Sequence, residues 1–111
     1  MAESRIVALI GSPAYDDAIN YRAAELELAG HVVLRRNASL ARLAEYGMST
    51  SNATAARVRD ILDTTTRAKI QLANEVVVVA PRKLGELDID PITRLQIDYA
   101  RDLGKPVHVI G

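Results

Sequence analysis

The chain contains 111 residues with a mass of 12.1 kDa, which is enough for one hydrophobic core and therefore for one domain, residues 1–111. Its 14 basic and 14 acidic residues balance, which disfavours nucleic acid as a partner because binding to phosphates normally requires a basic excess. The absence of cysteine from the sequence excludes disulfides, thiolate metal ligands and cysteine nucleophiles.

The first third of the chain predicts a β-α-β unit. The apolar run Ile6–Ile10 is typical of a strand that is buried on both faces. Asp16 or Asp17 is expected to cap a helix that ends at Gly30. The inward face of this helix follows helical spacing: Ile19, Ala23 and Leu26. His31–Leu34 predicts a second strand, and a β-α-β unit joins parallel strands through a crossover that is almost always right-handed.

The middle of the chain predicts two helices of different length. A short helix within residues 37–50 is expected to end at Gly47, with one apolar side formed by Leu40, Leu43 and Tyr46. A longer helix follows to about Ala73, and four polar residues are candidates for its N-cap: Ser49, Thr50, Ser51 and Asn52. Its inward face is expected to contain Ala55, Val58, Leu62, Thr65 and Leu72.

The last third predicts a strand, a polar loop, a helix and a final strand. Val76–Val79 is the strand, and residues 81–90 form the polar loop. Asp90 followed by Pro91 is typical of an N-cap with proline in the first helical position. The inner stripe of this helix is expected to be Ile92, Leu95, Tyr99 and Leu103. The final strand is Val107–Ile110.

Strands that alternate with helices predict an α/β domain with a four-stranded parallel sheet. The first connection crosses the sheet one way and the later connections cross it the other way, which gives the strand order 2-1-3-4. Ligands bind such sheets at the carboxyl ends of the strands, where the order reverses, here between the first and third strands. We therefore expect the functional residues in two segments, 11–16 and 80–92.

The first of these segments offers a ligand site or a plain turn. Gly11 lets a ligand approach the backbone, Ser12 offers a hydroxyl, and Pro13 precedes helical N–H groups that favour an anion. A tight turn explains the same residues equally well. Tyr15 either stacks on a base or is an ordinary surface residue.

No pattern predicts a metal ion or a membrane. His31 and His108 lack the spacing of metal ligands, and each is expected to have a structural role beside a strand. The apolar run Ile6–Ile10 is too short for a signal peptide or a membrane span. A cytoplasmic location is therefore the default expectation.

Four segments carry a family resemblance, in order along the chain: Gly11-Ser12-Pro13 after a strand, AAELELAGHVV, KIQLANEVVVVAP and ITRLQIDYARDLGKPV. Together they resemble the nucleoside 2-deoxyribosyltransferase and nucleotide N-glycosidase superfamily, whose most specific motif reads S-T-R-x-E-I-x-Y-A-x-x-x-G-K-P. The resemblance covers most of the chain. It implies a flavodoxin-like, or Rossmann-like, three-layer fold. It also implies an enzyme that cleaves or exchanges the N-glycosidic bond of nucleosides or nucleoside monophosphates without a cofactor.

The resemblance also implies residue roles, and one of them departs from the family. Several residues of this chain stand at positions of the family motifs: Ile92 at the Ser, Thr93 at the Thr, Arg94 at the Arg, Asn74 at an Asp, and Thr66 near a His. Gln96 falls on the Glu that attacks the anomeric carbon. A carboxamide is a poor nucleophile and does not stabilise an oxocarbenium ion as a carboxylate does. The resemblance thus implies a nucleotide- or nucleoside-binding protein with weak or absent activity, possessing Ser12, Tyr15, Thr93, Arg94 and Gln96 as ligand contacts.

Three alternatives stay open. The protein is an active N-glycosidase or transferase if a carboxylate from the polar loop replaces the missing nucleophile; the candidates are Glu86, Asp88 and Asp90, of which Asp90 is expected to serve as a helix cap. It is a structural module if the pocket has decayed and its function lies in contacts between copies. Arg94 binds a phosphate or pairs with Asp98 along the helix. We also expect a homodimer or larger assembly, through the Ala- and Thr-rich face of the helix at 51–73.

Overall fold

A computed structural model of the chain describes residues 4–37, 45–47 and 52–111, with the side chains of residues 52–55 excepted. The strands are β1 (Ile6–Gly11), β2 (Val32–Arg35), β3 (Glu75–Val79), β4 (Arg82–Lys83), β5 (Glu86–Leu87) and β6 (Val107–Ile110). The helices are α1 (Asp16–Leu28), which follows a short 3-10 turn at Pro13–Tyr15, α2 (Asn52–Leu72) and α3 (Pro91–Asp102). The predicted short helix and the N-cap of the longer one fall largely outside the described residues.

The predicted parallel sheet is confirmed. Four strands pair in the order β2-β1-β3-β6, and every pair is parallel. β6 is thus the fourth strand of the predicted order, since β4 and β5 form a separate antiparallel hairpin. The sequence prediction treated residues 81–90 as a loop without structure and missed this hairpin, because two-residue strands are too short to show an alternating pattern.

Successive side chains of β1 and β3 point to opposite faces of the sheet and pack into two separate cores. The domain therefore has three layers, the sheet and the helices on each of its faces. On one face Val7, Leu9, Val77 and Val79 pack with Ile19 and Ala23 of α1. On the other face the core combines strand residues with α2 and α3: Ala8, Ile10, Val76, Val78, Ile70, Ala73, Ile97 and Ala100. A fully buried Leu or Ile contributes about 1.5–3 kcal/mol to stability, so the two cores hold the sheet between its helices. No helix among the described residues is long and apolar enough to cross a membrane.

The helix-facing predictions were right for α1, but for α3 only Tyr99 of the predicted stripe packs against the core. Three residues of α3 face the sheet: Thr93, Ile97 and Ala100. The predicted stripe lies on the flank of the helix, where Ile92 and Leu95 are 64% and 70% exposed, Leu103 is exposed and Tyr99 is half-buried. Both rows have helical spacing, so periodicity alone does not choose between them. The row that contains Thr93 and Ala100 is the buried one, because small residues let the helix approach the sheet closely.

The inward face of α2 was also predicted incorrectly in part. The buried residues of the helix are Thr66 and Ile70, with Val58 and Leu62 half-buried, and Ala73 is buried directly after the helix ends. Thr65 and Leu72 are exposed, while the side chain of Ala55 lies outside the described residues. The buried face includes a polar residue because Thr66 satisfies its hydroxyl on the Leu62 carbonyl oxygen at 2.9 Å.

The predicted cap of α1 was wrong as well. Asp16 lies inside the first turn, and the residue before it, Tyr15, makes no side-chain cap. Ser12 instead caps the preceding 3-10 turn, where its hydroxyl accepts from the backbone N–H of Ala14. The carboxylate of Asp16 pairs with Arg36, because β2 runs parallel to β1 and its carboxyl end therefore lies at the edge of the sheet where α1 begins.

Candidate functional site

The carboxyl ends of β1 and β3 meet at the point where the strand order reverses, as the sequence predicted. Gly11 is buried at the end of β1 and pairs with Val79 of β3. A Cβ atom at Gly11 would lie 2.7 Å from the carbonyl oxygen of Val79 and 3.1 Å from Cδ1 of Ile19. The strands approach so closely here that only glycine fits, and Gly11 forms the floor of the crevice between them.

The turn after β1 uses many of its own hydrogen-bonding groups. The hydroxyl of Ser12 accepts from the N–H of Ala14 at 3.3 Å, and the N–H of Tyr15 donates to the carbonyl oxygen of Ser12 at 3.0 Å. Pro13 is exposed and has no N–H to offer. Asp16 and Asp17 occupy the first turn of α1, where they interact favourably with the helix dipole and would repel an anion. This turn is therefore better suited to a neutral group than to a phosphate.

A side-chain hydrogen bond links this turn to the segment between β3 and α3. The hydroxyl of Tyr15 donates to a carboxylate oxygen of Asp88, and the N–H of Asp88 donates to the carbonyl oxygen of Pro81 at 3.0 Å. The hydrogen bond to Asp88 is the main reason that the pKa of Tyr15 is raised, and desolvation and the negative charge of Asp88 add to it. The phenol of Tyr15 stays protonated and keeps donating to Asp88.

The first turns of α3 present polar groups that no other part of the described chain uses. Thr93 is only 3% exposed, yet its hydroxyl makes no hydrogen bond to any described residue and retains contact with solvent. It lies on the sheet-facing side of α3, one turn nearer the carboxyl edge than Ile97. Gln96 is half-buried, and its carboxamide is equally without a partner in the described part of the chain.

The backbone around Thr93 is well satisfied, which fixes these side chains in place. The predicted N-cap is confirmed: Asp90 accepts from the N–H of Thr93 at 3.3 Å, and its carbonyl oxygen accepts from the N–H of Arg94 at 3.0 Å. Arg94 itself is exposed, and the structure shows no ion pair between it and Asp98 or any other described residue. Its guanidinium is therefore available at the start of α3.

A second polar cluster, which the sequence did not predict, lies at the carboxyl end of β2. Asn37 donates to the carbonyl oxygen of Leu62 at 2.8 Å and to the hydroxyl of Thr66 at 3.1 Å. Lys69 donates to the backbone carbonyl of Arg35 at 2.7 Å and to the carboxamide oxygen of Asn37. Desolvation lowers the pKa of Lys69, and the positive charge of Arg36 lowers it further. The polar residues on the sheet-facing side of α2 were the available signal for this cluster.

Asn74, which the family resemblance singled out, and the two histidines lie away from the crevice. Asn74 precedes β3 at the amino edge of the sheet, where its carboxamide oxygen accepts from the N–H of Ile6 at 2.8 Å. His31 also lies at that edge and accepts from the N–H of Arg5 at 3.1 Å. His108 lies 3.4 Å from Glu75. These three residues have structural contacts, and the described residues contain no group of three or more His, Asp or Glu side chains that are placed to hold a metal ion.

A shallow depression of about 190 Å³ lies on the opposite face of the sheet beside α1, lined by Ala18, Tyr21, Arg22, Val79, Pro81, Ile110 and Gly111. It contains mainly apolar groups and one cation. We place the candidate site at the carboxyl edge of the sheet, at Gly11, Thr93 and Gln96, because the side chains of Thr93 and Gln96 offer polar groups that no described residue uses.

Comparison with protein-family models, with curated proteins and with solved structures returned no match to this chain.

Proposed function

We propose that this protein binds a nucleoside or nucleotide in the crevice between the carboxyl ends of β1 and β3, with weak or absent N-glycosidase activity. The observation that carries the proposal is Thr93, a residue only 3% exposed on the sheet-facing side of α3, whose hydroxyl retains contact with solvent and makes no hydrogen bond to a described residue. Because the protein does not use this hydroxyl, it is available to hydrogen-bond a ligand, and such a bond contributes about 0.5–1.5 kcal/mol. The carboxamide of Gln96, one turn along α3, can both donate to and accept from a sugar hydroxyl or a base edge.

Thr93 and Gln96 differ in angular position on α3 by about 300°, so the two side chains lie 60° apart and project toward neighbouring directions. Arg94 lies on another side of the helix and is free to pair with a phosphate at the rim. Tyr15, with its hydroxyl held by Asp88, closes the opposite side of the crevice and offers a ring for a base.

Weak or absent catalysis follows from the chemistry of Gln96. A neutral carboxamide neither attacks an anomeric carbon nor balances the positive charge that develops on the sugar ring. Ligand binding without turnover is what such a site supports. A cytoplasmic location stays a prediction.

The test is nucleoside binding by calorimetry or thermal shift, with the four common deoxynucleosides and their 5′-monophosphates. Binding to the wild type and an approximately tenfold loss of affinity in Thr93→Val support the proposal, because valine keeps the shape and removes the hydroxyl. Thr65→Val is the matched control: Thr65 is exposed on α2 and donates to the carbonyl oxygen of Ile61. No binding by the wild type, or an equal loss in both variants, would refute the proposal.

A second candidate function is an active N-glycosidase in which Asp88 supplies the carboxylate. The observation that favours it is the hydrogen bond from Tyr15, which fixes the Asp88 side chain near the crevice. Release of free base by the wild type that is lost in Asp88→Asn would support this activity. Base release only by Gln96→Glu would instead identify an intact site that lacks its nucleophile.

The homo-oligomer expected from the sequence also remains a proposal. The exposed apolar side chains of α3, Ile92 and Leu95, form a surface that a second copy would cover more readily than the predicted face of α2. Light scattering tests it, and a monomer at micromolar concentration would reject it.

A further inference from the structure

The hairpin of β4 and β5 presents one side chain that its own fold does not explain. Leu84 is 99% exposed and has a φ of 54°, whereas bulky residues rarely adopt positive φ. With Gly85 at a φ of 84°, it forms the two-residue connection between the paired residues Lys83 and Glu86. Two-residue turns with both φ angles positive prefer Asn-Gly or Gly-Gly, so leucine is unfavourable both in backbone conformation and in exposure to water.

The hairpin that carries Leu84 is firmly built. The guanidinium of Arg82 donates to the carbonyl oxygen of Gly85 at 3.0 Å and braces the turn. At the base, the N–H of Asp88 donates to the carbonyl oxygen of Pro81 at 3.0 Å, and the Asp88 carboxylate accepts from Tyr15. Leu84 is therefore held in its exposed position, and the unfavourable conformation is retained by contacts on either side of it. Strain maintained in this way is characteristic of residues that act on a ligand.

The place of the hairpin in the fold indicates what Leu84 would contact. The hairpin connects the carboxyl end of β3 to the start of α3, so it rises from the same edge of the sheet as Gly11 and Thr93. Its strands of two residues span about 7 Å, so Leu84 stands away from the sheet at this edge. The other side chains near the turn are charged: Arg82, Lys83 and Glu86.

We propose that Leu84 is a ligand-contacting residue, carried on the braced hairpin as a strap that lies against the apolar face of the bound base. The inference rests on the proposed nucleoside site. The contacts at the turn and at the base hold the leucine in place, and burial of Leu84 against the base removes apolar surface of both partners from water. Leu84 thus favours a nucleoside with an intact base over a free sugar, because only the base offers a flat apolar surface.

The test compares Leu84→Asn with the wild type, using 2′-deoxyadenosine, 2′-deoxyguanosine, 2′-deoxycytidine and thymidine as probes. Asparagine is favoured at this turn position, so the variant is expected to fold and to melt about 2–4 °C higher than the wild type. Its affinity for the nucleosides is expected to be about tenfold weaker, since the apolar contact is lost. The combination of a more stable fold and a weaker complex is the signature of this role.

Leu28→Asn is the matched control, because Leu28 is 90% exposed at the end of α1, at the opposite edge of the sheet. It should leave nucleoside affinity unchanged. Nucleoside binding by the wild type that is equal in Leu84→Asn would overturn the strap while leaving the proposed function intact. No binding by the wild type would overturn both. A fall in molecular mass by light scattering in Leu84→Asn, with affinity unchanged, would assign Leu84 to contacts between copies and likewise overturn the proposal.

Discussion

Replacing Gly11 by alanine tests the close approach of β1 and β3 that creates the crevice floor. The added Cβ would lie 2.7 Å from the carbonyl oxygen of Val79, an atom that is fixed in the adjacent strand. The added Cβ would also lie 3.1 Å from Cδ1 of Ile19, which is closer than an ordinary van der Waals contact, so the Ile19 side chain on α1 would have to shift. Forcing an extra methyl into a packed interior costs about 1–3 kcal/mol, and the backbone φ of 157° adds conformational strain for a residue with a side chain.

We therefore expect Gly11→Ala to reduce the free energy of unfolding by about 2–4 kcal/mol, or the melting temperature by about 8–16 °C for a domain of this size. Urea denaturation followed by circular dichroism measures the first quantity. Gly104→Ala is the matched control: its φ is 73°, but nothing lies within 4 Å of the added Cβ. It carries the conformational cost alone, about 1 kcal/mol. An equal loss of stability in the two variants would refute the reasoning, because the contact with Val79 would then contribute nothing.

Three further predictions concern groups near the site. Because the pKa of Tyr15 is raised above 10.0 in the folded protein, its contribution to stability is present below that pH and is lost as the pH rises through the raised value. Ultraviolet titration should show one tyrosine that ionises late, and Asp88→Asn should move it toward the ordinary range; an unchanged titration would contradict the role of Asp88. Removing the cap of α3 with Asp90→Ala should cost about 1 kcal/mol in urea denaturation, and a neutral result would show that the cap is not needed. Asn37→Ala should cost about 1–3 kcal/mol because it leaves the ammonium of Lys69 with one partner fewer, and a loss below 0.5 kcal/mol, typical of surface substitutions, would contradict that account.

The strands and their order were predictable because each strand is a short apolar run next to a helix. Ile6–Gly11 and Glu75–Val79 lie in the centre of the sheet, where both faces are covered, so every residue in them can be apolar. The position of these two strands also predicted where the crevice lies. The connections after them leave toward opposite faces of the sheet, and a crevice forms between two such connections. The N-cap at Asp90 was predictable for a local reason: Asp followed by Pro allows few other backbone conformations.

Side-chain roles within the site were less predictable. The sequence predicted a ligand hydroxyl at Ser12 and a helix cap at Asp16. Because a 3-10 turn at Pro13–Tyr15 precedes α1, Ser12 caps that turn and Asp16 lies inside the first turn of the helix. The contact between Tyr15 and Asp88 joins residues 73 positions apart, and no local pattern encodes such a pair. The same holds for the cluster around Lys69, which the sequence shows only as isolated polar residues in an apolar helix face.

The sequence by itself determined the class of the fold and the parallel order of its strands, and with them the edge of the sheet at which that order reverses. These follow from local hydrophobicity and from the handedness of chain connections, both of which act over a few tens of residues. Tertiary structure alone decided which face of α3 is buried, and thereby that Thr93 is enclosed while Leu95 is exposed. It also decided that Leu84 projects from a braced turn. The physical reason is that helix rotation and turn geometry are fixed by packing between elements, where several faces of similar hydrophobicity compete for one sheet.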